Sequence, residues 1–433
     1  MELNSKQKRS SPAFFCLNTN LMHIAIIGGG AAGFFAAIAL KERCPEASVC
    51  IYERVKRPLA KVEVSGGGRC NCTNSFAQVA DLKAVYPRGH KLMKRLFKTF
   101  DHNDAYEWFE SHGVRLTTQE DECVFPVSQD SHSITLCLQN EARRLGVVVK
   151  LQHTMHAIAY DEPTKTFRLS FNDGADSVAA DRVLLTTGGQ PRADGLLTQL
   201  AALRHMIEPP VPSLFTFTID HAPLRELMGV VVENAIASLA ATKFKAQGPL
   251  LITHWGMSGP AILKLSSHAA RHLAEASYSA PLLVNWVGIT NAEEVAAELH
   301  ALAGTYPQRQ LSSVRPYGLQ SRLWNYLLQR SELSPEKPWA ELGKKGFNRL
   351  LNTLTSDAYQ IAERYPHREE FVTCGGVALS SVDPNTLESR VLPGLYFAGE
   401  LLDIDAVTGG FNLQAAWTTG FVAAEAMSKA LTR

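Results

Sequence analysis

The sequence predicts an α/β fold in which a domain built on a parallel sheet is interrupted by a β-rich and helical insertion. Three observations predict it. In "HIAIIGGGAAGFFAAIAL", close to the N-terminus, an apolar strand leads into a glycine turn and an alanine-rich helix. Two later stretches, "DRVLLTTGG" and "GLYFAGE", are short apolar strands that also end in glycine. Between residues 195 and 350 alternating apolar runs and helical periodicity replace these motifs. We therefore expect a first domain part at 22–194, an insertion at 195–350 and a second part at 351–433.

The length and composition indicate a globular protein with more than one domain. The chain has 433 residues, of which 45% are hydrophobic and 20% are charged. A net charge of +1 gives no field that attracts nucleic acid or a membrane, so we expect a small-molecule partner. The eight cysteines form no CxxC pair, which predicts a reducing, cytoplasmic location. Residues 1–21 are expected to be a disordered tail, and Met22 is an alternative start of translation.

The N-terminal glycine turn has the features of a dinucleotide-binding site. Gly28 permits the tight turn, Gly30 lets a pyrophosphate approach the backbone, and Gly33 allows close packing of the helix on the strand. The second strand, "SVCIYE", ends in Glu53, where such a fold needs a carboxylate to accept hydrogen bonds from a ribose. The helix N-terminus supplies N–H groups and a positive dipole end for phosphates. The unit therefore predicts a Rossmann-like domain.

Two later motifs favour FAD over NAD as the tightly bound nucleotide. The Thr-Gly-Gly at residues 187–189 returns the chain to the dinucleotide at the end of a strand. In "GLYFAGELLDIDAVTGGFNLQAAWTTG", Glu400 can accept a hydrogen bond from the ribityl chain of a flavin, which NAD lacks. A helix predicted from about Asn412 directs its N–H groups to the flavin N1/O2 edge, where negative charge accumulates on reduction. These motifs therefore predict FAD as the tightly bound nucleotide.

The stretch "KVEVSGGGRCNCTN" at residues 61–74 allows three interpretations. A metal site is disfavoured, because structural zinc prefers CxxC pairs or histidine partners, and no metal is predicted. A redox partnership between Cys70 and a flavin remains an alternative. The favoured interpretation is a second backbone cradle for the cofactor at Gly66–Gly68. Lys61 and Arg69 then supply positive charge toward a pyrophosphate or an acidic substrate.

These motifs are similar to those of a known family, the BaiN/YhiN-like NAD(P)/FAD-dependent oxidoreductases, which includes aminoacetone-oxidase-like flavoproteins. The resemblance rests on "GGGAAG", "SGGGRCNCTN", "TTGGQP", "THWGMSGPAIL", "TCGGVALSSVDPNTLESR" and "GLYFAGELLDIDAVTGGFNLQAAWTTG", and it extends from residue 24 to about residue 425. It implies a discontinuous FAD-binding, Rossmann-like domain of the glutathione-reductase type, with a β-rich and helical insertion, and tightly bound FAD. Two departures are a shorter segment after "TTGGQP", which leaves the substrate approach open, and Cys72, where the family commonly has an apolar residue.

The motifs and the resemblance together predict a set of cofactor-binding residues. The resemblance adds Ala32 at the pyrophosphate and the backbone near Met155 at the adenine. The full set is Gly28, Gly30, Ala32, Gly33, Glu53, Arg54, Lys61, Gly66, Gly67, Arg69, Cys70, Asn71, Met155, Thr187, Gly188, Gly189, Gly399, Glu400, Gly410, Phe411, Asn412 and Leu413.

The chemistry is predicted only in outline. Cys70 and His254 are weak catalytic candidates, and His254, in "LLITHWGMSGPAIL", either faces a flavin pocket or belongs to a capped turn. The leading hypothesis is an FAD-dependent oxidoreductase that is reduced by NAD(P)H and passes hydride through flavin N5 to a small organic acceptor. The alternatives are an aminoacetone-like amine oxidase that uses oxygen, and a protein that binds FAD as a structural or sensory ligand. No second GxGxxG is present, so a nicotinamide donor would bind without a domain of its own.

Overall fold

The computed structural model describes residues 22–189, 195–364 and 372–431, so the predicted tail at 1–21 lies outside it. The strands are β1 (His23–Ile27), β2 (Ser48–Glu53), β3 (Thr73–Asn74), β4 (Leu116–Thr118), β5 (Cys123–Pro126), β6 (Val148–Leu151), β7 (Met155–Asp161), β8 (Thr166–Phe171), β9 (Asp176–Ala180), β10 (Arg182–Leu185), β11 (Ile207–Ser213), β12 (Phe217–Ile219), β13 (Val231–Leu239), β14 (Lys245–Ile252), β15 (Gly256–Ser258), β16 (Ala280–Asn285), β17 (Asp357–Arg364), β18 (Val372–Val377) and β19 (Leu395–Phe397). The helices are α1 (Ala31–Arg43), α2 (Ala60–Gly68), α3 (Leu82–Val85), α4 (His90–Leu96), α5 (His102–Ser111), α6 (His132–Arg144), α7 (Leu196–Ala202), α8 (Ala222–Arg225), α9 (Pro260–His268), α10 (Ala270–Glu275), α11 (Ala292–Thr305), α12 (Ser321–Arg330), α13 (Gly343–Ser356) and α14 (Phe411–Leu431).

The centre of the first domain is a five-stranded parallel sheet in the order β19-β10-β1-β2-β6. Strands β1, β2, β10 and β19 are mostly buried by helices and loops, which accounts for their isoleucine, leucine and valine content, whereas the edge strand β6 is largely exposed. Parallel strands all end at the same edge, so the glycine turns that follow β1, β10 and β19 meet there. The predicted α/β fold class is confirmed by this sheet.

Helices α1 and α14 pack against each other beside the sheet. A Cβ atom at Gly420 would lie 2.7 Å from the carbonyl oxygen of Ala32, so glycine is required where the two backbones approach. Phe35 fills the space beyond this contact, with its ring centroid 5.4 Å from that of Trp417 and 4.7 Å from that of Trp108. The alanine-rich composition of α1 therefore reflects burial around most of its circumference.

The insertion contains a closed antiparallel barrel in the order β12-β15-β14-β13-β16-β17. Its hydrophobic core is separate from that of the first domain and extends from Phe215 to Ile361. The predicted boundary at residue 350 falls within α13, and β17 continues the barrel beyond it. We therefore propose residues 215–364 as the extent of the insertion.

A separate two-stranded sheet lies at the junction between the two parts. In "SLFTFTI", Ser213 ends β11 and Phe217–Ile219 forms β12 of the barrel. "FVTCGGVALSSVD" supplies β18, which pairs with β11 in this sheet and not with the parallel sheet. Across the described residues, no helix combines the length and hydrophobicity that a membrane span requires.

Candidate active site

The turn after β1 has the geometry that the three predicted glycines imply. Gly28 has φ +113°, and a Cβ atom on it would lie 2.4 Å from the carbonyl oxygen of Thr186. A Cβ atom on Gly33 would lie 2.1 Å from the carbonyl oxygen of Gly28, so helix α1 touches the strand there. A Cβ atom on Gly30 would meet nothing within 4 Å. Gly30 is the N-cap residue of α1, and no side chain makes a capping hydrogen bond there. The first turn of the helix faces this open space.

Glu53 closes the same turn from the neighbouring strand. Its Oε2 atom accepts from the N–H of Gly29 at 2.7 Å, and its Oε1 atom accepts from the N–H of Val55 at 2.9 Å. The side chain is almost completely buried, whereas Arg54 is exposed. The backbone therefore fixes the carboxylate at the end of β2, and each oxygen retains a lone pair for a further donor.

A cavity of about 350 Å³ lies next to this position. Thr154, Met155, His156, Asn172 and Asp173 line it. The segment that leads from β6 into this lining is tied to the end of β2, because the N–H of His153 donates to the carbonyl oxygen of Glu53 at 2.8 Å. The predicted adenine contact at Met155 therefore lies on a cavity close to the predicted ribose contact.

The glycine triplet forms a loop at the end of α2. Regular helical geometry ends at Val64, and Gly66, Gly67 and Gly68 have φ values of +58°, +69° and +84°. Cβ atoms on Gly67 and Gly68 would meet nothing within 4 Å, which leaves their backbone open to a ligand. The carbonyl oxygen of Gly68 accepts from the N–H of Ser131 at 3.0 Å, so the start of α6 supports the loop.

The turns after β10 and β19 converge on Glu400. Its Oε2 atom accepts from Lys61 Nζ at 2.7 Å, and its Oε1 atom accepts from the N–H of Thr373 at 2.7 Å. A Cβ atom on Gly189 would lie 2.6 Å from Glu400 Oε1, so Gly188 and Gly189 pass directly over the carboxylate. Glu400 thus joins the end of the parallel sheet to α2 and β18.

The two predicted cationic side chains have partners within the protein. Lys61 is directed at Glu400. The guanidinium of Arg69 lies 4.2 Å from the centroid of the Phe125 ring, and its Nη1 atom donates to Gln129 Oε1 at 3.3 Å. Both side chains border the glycine loop, and their contact with a pyrophosphate or an acidic substrate stays a prediction.

The start of α14 is held by the strand that follows the glycine loop. A Cβ atom on Gly410 would lie 2.2 Å from the carbonyl oxygen of Thr73. With its amide oriented to satisfy both neighbours, Asn71 accepts from the N–H of Gly410 at 3.2 Å and donates to Thr73 at 2.9 Å. The side chain of Asn412 turns back to the N–H and carbonyl groups of Ala406, at 2.9 and 3.0 Å. Asn412 therefore shapes the loop that leads into the helix.

Phe411 and Leu413 complete the start of α14. The Phe411 ring is buried, and its carbonyl oxygen accepts from the Tyr86 hydroxyl at 2.8 Å, while Leu413 is half-buried. Gly399 has φ +70°, and a Cβ atom on it would lie 3.1 Å from Cβ of Ala32, so the turn after β19 touches the first turn of α1.

Three residues that support the site are not among those predicted from the sequence. Thr186 donates through Oγ1 to the carbonyl oxygen of Gly28 at 2.8 Å, and Thr373 anchors Glu400. Gln414 is fully buried and accepts from the Thr73 hydroxyl at 2.6 Å. All three lie inside or beside glycine motifs that were recognised, so adjacency to those motifs was the available signal.

The two weak catalytic candidates occupy different environments. Cys70 and Cys72 are completely buried, and burial together with a hydrogen bond to Cys70 raises the pKa of the Cys72 thiol well above its usual range. His254 is exposed on the turn between β14 and β15, with its ring centroid 4.5 Å from that of Trp255. Their catalytic roles stay predictions. Within the described segments, no three His, Cys, Asp or Glu side chains are grouped as metal ligands.

The site as a whole fits a dinucleotide that carries a flavin. Open space above Gly30, Gly67 and Gly68 gives a ligand access to the backbone, and the uncapped start of α1 suits phosphates. The carboxylates of Glu53 and Glu400 lie at the ends of β2 and β19, where a ribose and a ribityl chain would need acceptors.

Comparisons with known proteins agree with this geometry. The model of the HI0933-like protein Rossmann domain matches residues 22–426. The chain is 30% identical to the 3-dehydro-bile acid delta(4,6)-reductase of Clostridium scindens, over 94% of this chain and 99% of that protein. It is 28% identical to the ribosomal RNA dihydrouridine synthase of Escherichia coli, over 92% of this chain and 96% of that protein.

Among solved structures, the 3-ketosteroid-delta4-(5alpha)-dehydrogenase of Rhodococcus jostii matches with a TM-score of 0.49 and 14% identity, over 93% of this chain and 97% of that chain. The family resemblance of the motifs is confirmed by the match of the family model over nearly the whole chain. The chain belongs to the HI0933-like Rossmann family, the family of flavin-dependent oxidoreductases that its motifs resemble.

Proposed function

We propose that the protein is an FAD-dependent reductase that takes electrons from NAD(P)H. Its organic acceptor contains a carbon–carbon double bond conjugated to a carbonyl group. The two relatives have different names, and each name describes such a substrate. One reduces Δ4,6 bonds of a 3-dehydro bile acid, and the other converts uridine of ribosomal RNA to dihydrouridine. In both substrates a carbonyl polarises the double bond that is reduced, so hydride adds to one carbon and a proton to the next. This shared chemistry supports the proposed acceptor class.

The structural observation that carries the proposal is the meeting of three glycine turns and Glu400 at one edge of the parallel sheet. We infer that the start of α1 binds the pyrophosphate and that Glu53 accepts from the adenosine ribose. Glu400 would accept from the ribityl chain, and the start of α14 would border the N1/O2 edge of the ring. Bound FAD supplies hydride transfer at its N5 atom. The chain itself supplies orientation and charge.

The sequence contains no second GxGxxG followed by an acidic residue. We therefore propose that the nicotinamide donor and the acceptor occupy the same face of the site in turn, so that the reaction follows ping-pong kinetics. The barrel at residues 215–364 would cover that face and select the acceptor.

We further propose that the acceptor is a small molecule and that the protein works in the cytoplasm. The net charge of +1 is low for a protein that must bind an RNA backbone. Seven cysteines among the described residues are free, which suits a reducing compartment. A uridine-containing RNA, suggested by the name of the second relative, belongs in the acceptor tests.

The test is anaerobic stopped-flow absorbance near 450 nm with the purified holoprotein. NADH, NADPH and a small panel of amines are mixed in separately, and free FAD with each donor is the control. We expect NADH or NADPH to bleach the bound flavin much faster than the same donor bleaches free FAD. Bleaching only by an amine, with fast recovery in air, would instead identify an oxidase. A flavin that no donor reduces would favour a structural or sensory role.

A further inference from the structure

A cavity of about 580 Å³ lies in the helical part of the insertion. Its lining consists of Tyr306, Arg309, Ser313, Val314, Arg315, Gly318, Leu319 and Gln320. This volume lies in the range of small-molecule binding sites. No residue of the predicted cofactor site lines it, and no lining residue is acidic. The cavity is therefore separate from the flavin site.

The two arginines of this cavity differ from five other arginines of the insertion. Between residues 217 and 363, the remaining guanidinium groups contact a carboxylate or carbonyl oxygen in the protein: Arg225 with Asp220, Arg271 with Asp403, Arg322 with Glu226, Arg330 with Asp357, and Arg349 with Glu332. The described residues supply no such partner to Arg309 or Arg315. Two unpaired guanidinium groups that line one cavity produce a positive potential within it.

The walls that carry these arginines are anchored to the core of the insertion. The carbonyl oxygen of Arg309 accepts from the N–H of Trp339 at 3.0 Å. Leu311, between the arginines, is buried, and its carbonyl oxygen accepts from Trp324 Nε1 at 2.7 Å. The loop is therefore fixed before any ligand arrives, which lowers the entropy cost of binding.

The remaining lining also suits an anion. Helix α12 begins at the cavity, and its N-cap residue, Gln320, makes no capping hydrogen bond with its side chain. The positive end of this ten-residue helix adds to the charge of the arginines. The Ser313 hydroxyl already donates to the carbonyl oxygen of Gln310 at 2.8 Å. The Gln320 amide donates one hydrogen to the carbonyl oxygen of Val231 at 3.5 Å and keeps a second for a ligand. The exposed ring of Tyr306 offers a surface for a planar group.

We propose that this cavity binds a phosphate group through Arg309 and Arg315. Arginine matches phosphate geometry with two parallel hydrogen bonds, and a second arginine with a helix N-terminus completes the neutralisation. The phosphate belongs either to a small free organic phosphate, such as a mononucleotide, or to a nucleic-acid backbone. The proposal does not depend on the function proposed for the flavin site.

The test uses the FAD-loaded full-length protein and the double variant Arg309→Gln/Arg315→Gln. The probes are inorganic phosphate and AMP, measured by calorimetry, and a labelled 12-nucleotide single-stranded RNA, measured by fluorescence anisotropy. Arg225→Gln is the control, because it removes one partly exposed arginine of the same insertion that is already paired with Asp220. FAD absorbance and melting temperature confirm that each variant is folded.

We expect the double variant to bind at least one probe about tenfold more weakly than the wild type, and the control to stay within about twofold. Weakened binding of AMP or phosphate identifies a small organic phosphate, and weakened binding of RNA alone identifies a nucleic-acid backbone. Equal binding by the wild type and the double variant would overturn the proposal. Failure of every probe to bind the wild type would overturn it as well.

Discussion

Lys61 and Glu400 form an ion pair across 339 positions of sequence, with 2.7 Å between Nζ and Oε2. The other carboxylate oxygen of Glu400 accepts from the N–H of Thr373 at 2.7 Å. The lysine side chain is 60% exposed, so the ion pair alone contributes little stability. The bond from Thr373 fixes the carboxylate, and the arrangement joins the glycine loop, β18 and the turn after β19.

Substitution of Glu400 with glutamine is expected to weaken FAD binding about tenfold. The amide keeps the shape of the side chain but loses the charge and one of the two acceptor oxygens, and hydrogen bonds to charged groups contribute about 1.5–3 kcal/mol. FAD fluorescence during titration of the apoprotein measures the affinity. Glu425→Gln, which breaks a surface pair with Lys429 in α14, is the control. An affinity for FAD that is equal in Glu400→Gln and the wild type would show that this carboxylate does not contact the cofactor.

Substitution of Gly30 with valine is expected to give a folded, colourless protein. A Cβ atom at this position meets nothing in the protein, and the residue has φ −90° and ψ −166°, which a side chain tolerates. The added methyl groups occupy the space through which a pyrophosphate reaches the backbone. Circular dichroism and the absorbance ratio at 450 and 280 nm measure folding and FAD content.

Gly304→Val in α11 is the matched control for this substitution, because a Cβ atom there also meets nothing within 4 Å. It lies in the insertion and is expected to leave the protein yellow. Full FAD content in Gly30→Val would refute the assignment of the turn after β1 to the pyrophosphate.

Substitution of Asp357 with asparagine is expected to destabilise the barrel by about 3–5 kcal/mol, because it leaves the Arg330 charge without its buried partner. Asp357 Oδ1 accepts from Arg330 Nη2 at 2.6 Å, and Oδ2 accepts from Trp286 Nε1 at 3.1 Å. Urea unfolding followed by tryptophan fluorescence measures the change. Asp220→Asn removes an exposed pair and should cost less than about 1 kcal/mol.

The same unfolding experiment tests the proposed insertion at residues 215–364. If the barrel is a separate domain, Asp357→Asn shifts the tryptophan transition without an equal shift in FAD release at 450 nm. Equal shifts of both transitions would mean that the barrel and the nucleotide-binding domain unfold together.

Asp130 and His132, at the start of α6 beside the glycine loop, form a contact whose strength is expected to depend on pH. The hydrogen bond that His132 donates to the Asp130 carboxylate raises the pKa of His132 above 6.5, and hydrogen bonds from the backbone and side chain of His132 lower the pKa of Asp130 below 3.8. The stability that His132 adds to the folded protein is complete below pH 6.5 and is lost as the pH rises through the raised pKa of His132. The contribution of Asp130 is present above pH 3.8 and is lost as the pH falls through its lowered pKa. Between these limits both groups are charged.

Histidine NMR titration measures this contact, with His132→Gln used to assign the resonance. Asp130→Asn is expected to lower the pKa of His132 toward its ordinary value. Glu63, whose Oε1 lies 3.7 Å from His132 Nε2, also raises the pKa of His132, and Arg57 lowers it. An unchanged pKa in Asp130→Asn would mean that these more distant charges control the titration.

The local parts of the site were predictable because they follow from backbone geometry over a few residues. The β1 turn, α1 and Glu53 at the end of β2 were all found where the spacing of Gly28, Gly30 and Glu53 had placed them. The apolar runs and the spacing of the glycines and of Glu53 were enough to predict these elements, so no distant contact was needed.

The contacts that join distant segments were not predictable from a single sequence. The sequence predicts a contact between Glu400 and the cofactor, but neither Lys61 nor Thr373 could be identified from it as a partner of Glu400. The barrel order β12-β15-β14-β13-β16-β17 likewise depends on pairing between strands far apart in the chain. Periodicity indicated strands and helices there, and the closure of the sheet was visible only in three dimensions.

The measurement that tests the central claim most directly is reoxidation of the reduced flavin by an acceptor without oxygen. The holoprotein is first reduced with one equivalent of NADPH or NADH and then mixed with a ketone whose carbonyl is conjugated to a double bond. The saturated ketone of the same skeleton is the control, and product analysis follows. We predict recovery of the 450 nm absorbance with the conjugated ketone, no recovery with the saturated one, and a product reduced at the double bond. Recovery only with oxygen, or equal recovery with both ketones, would contradict the account.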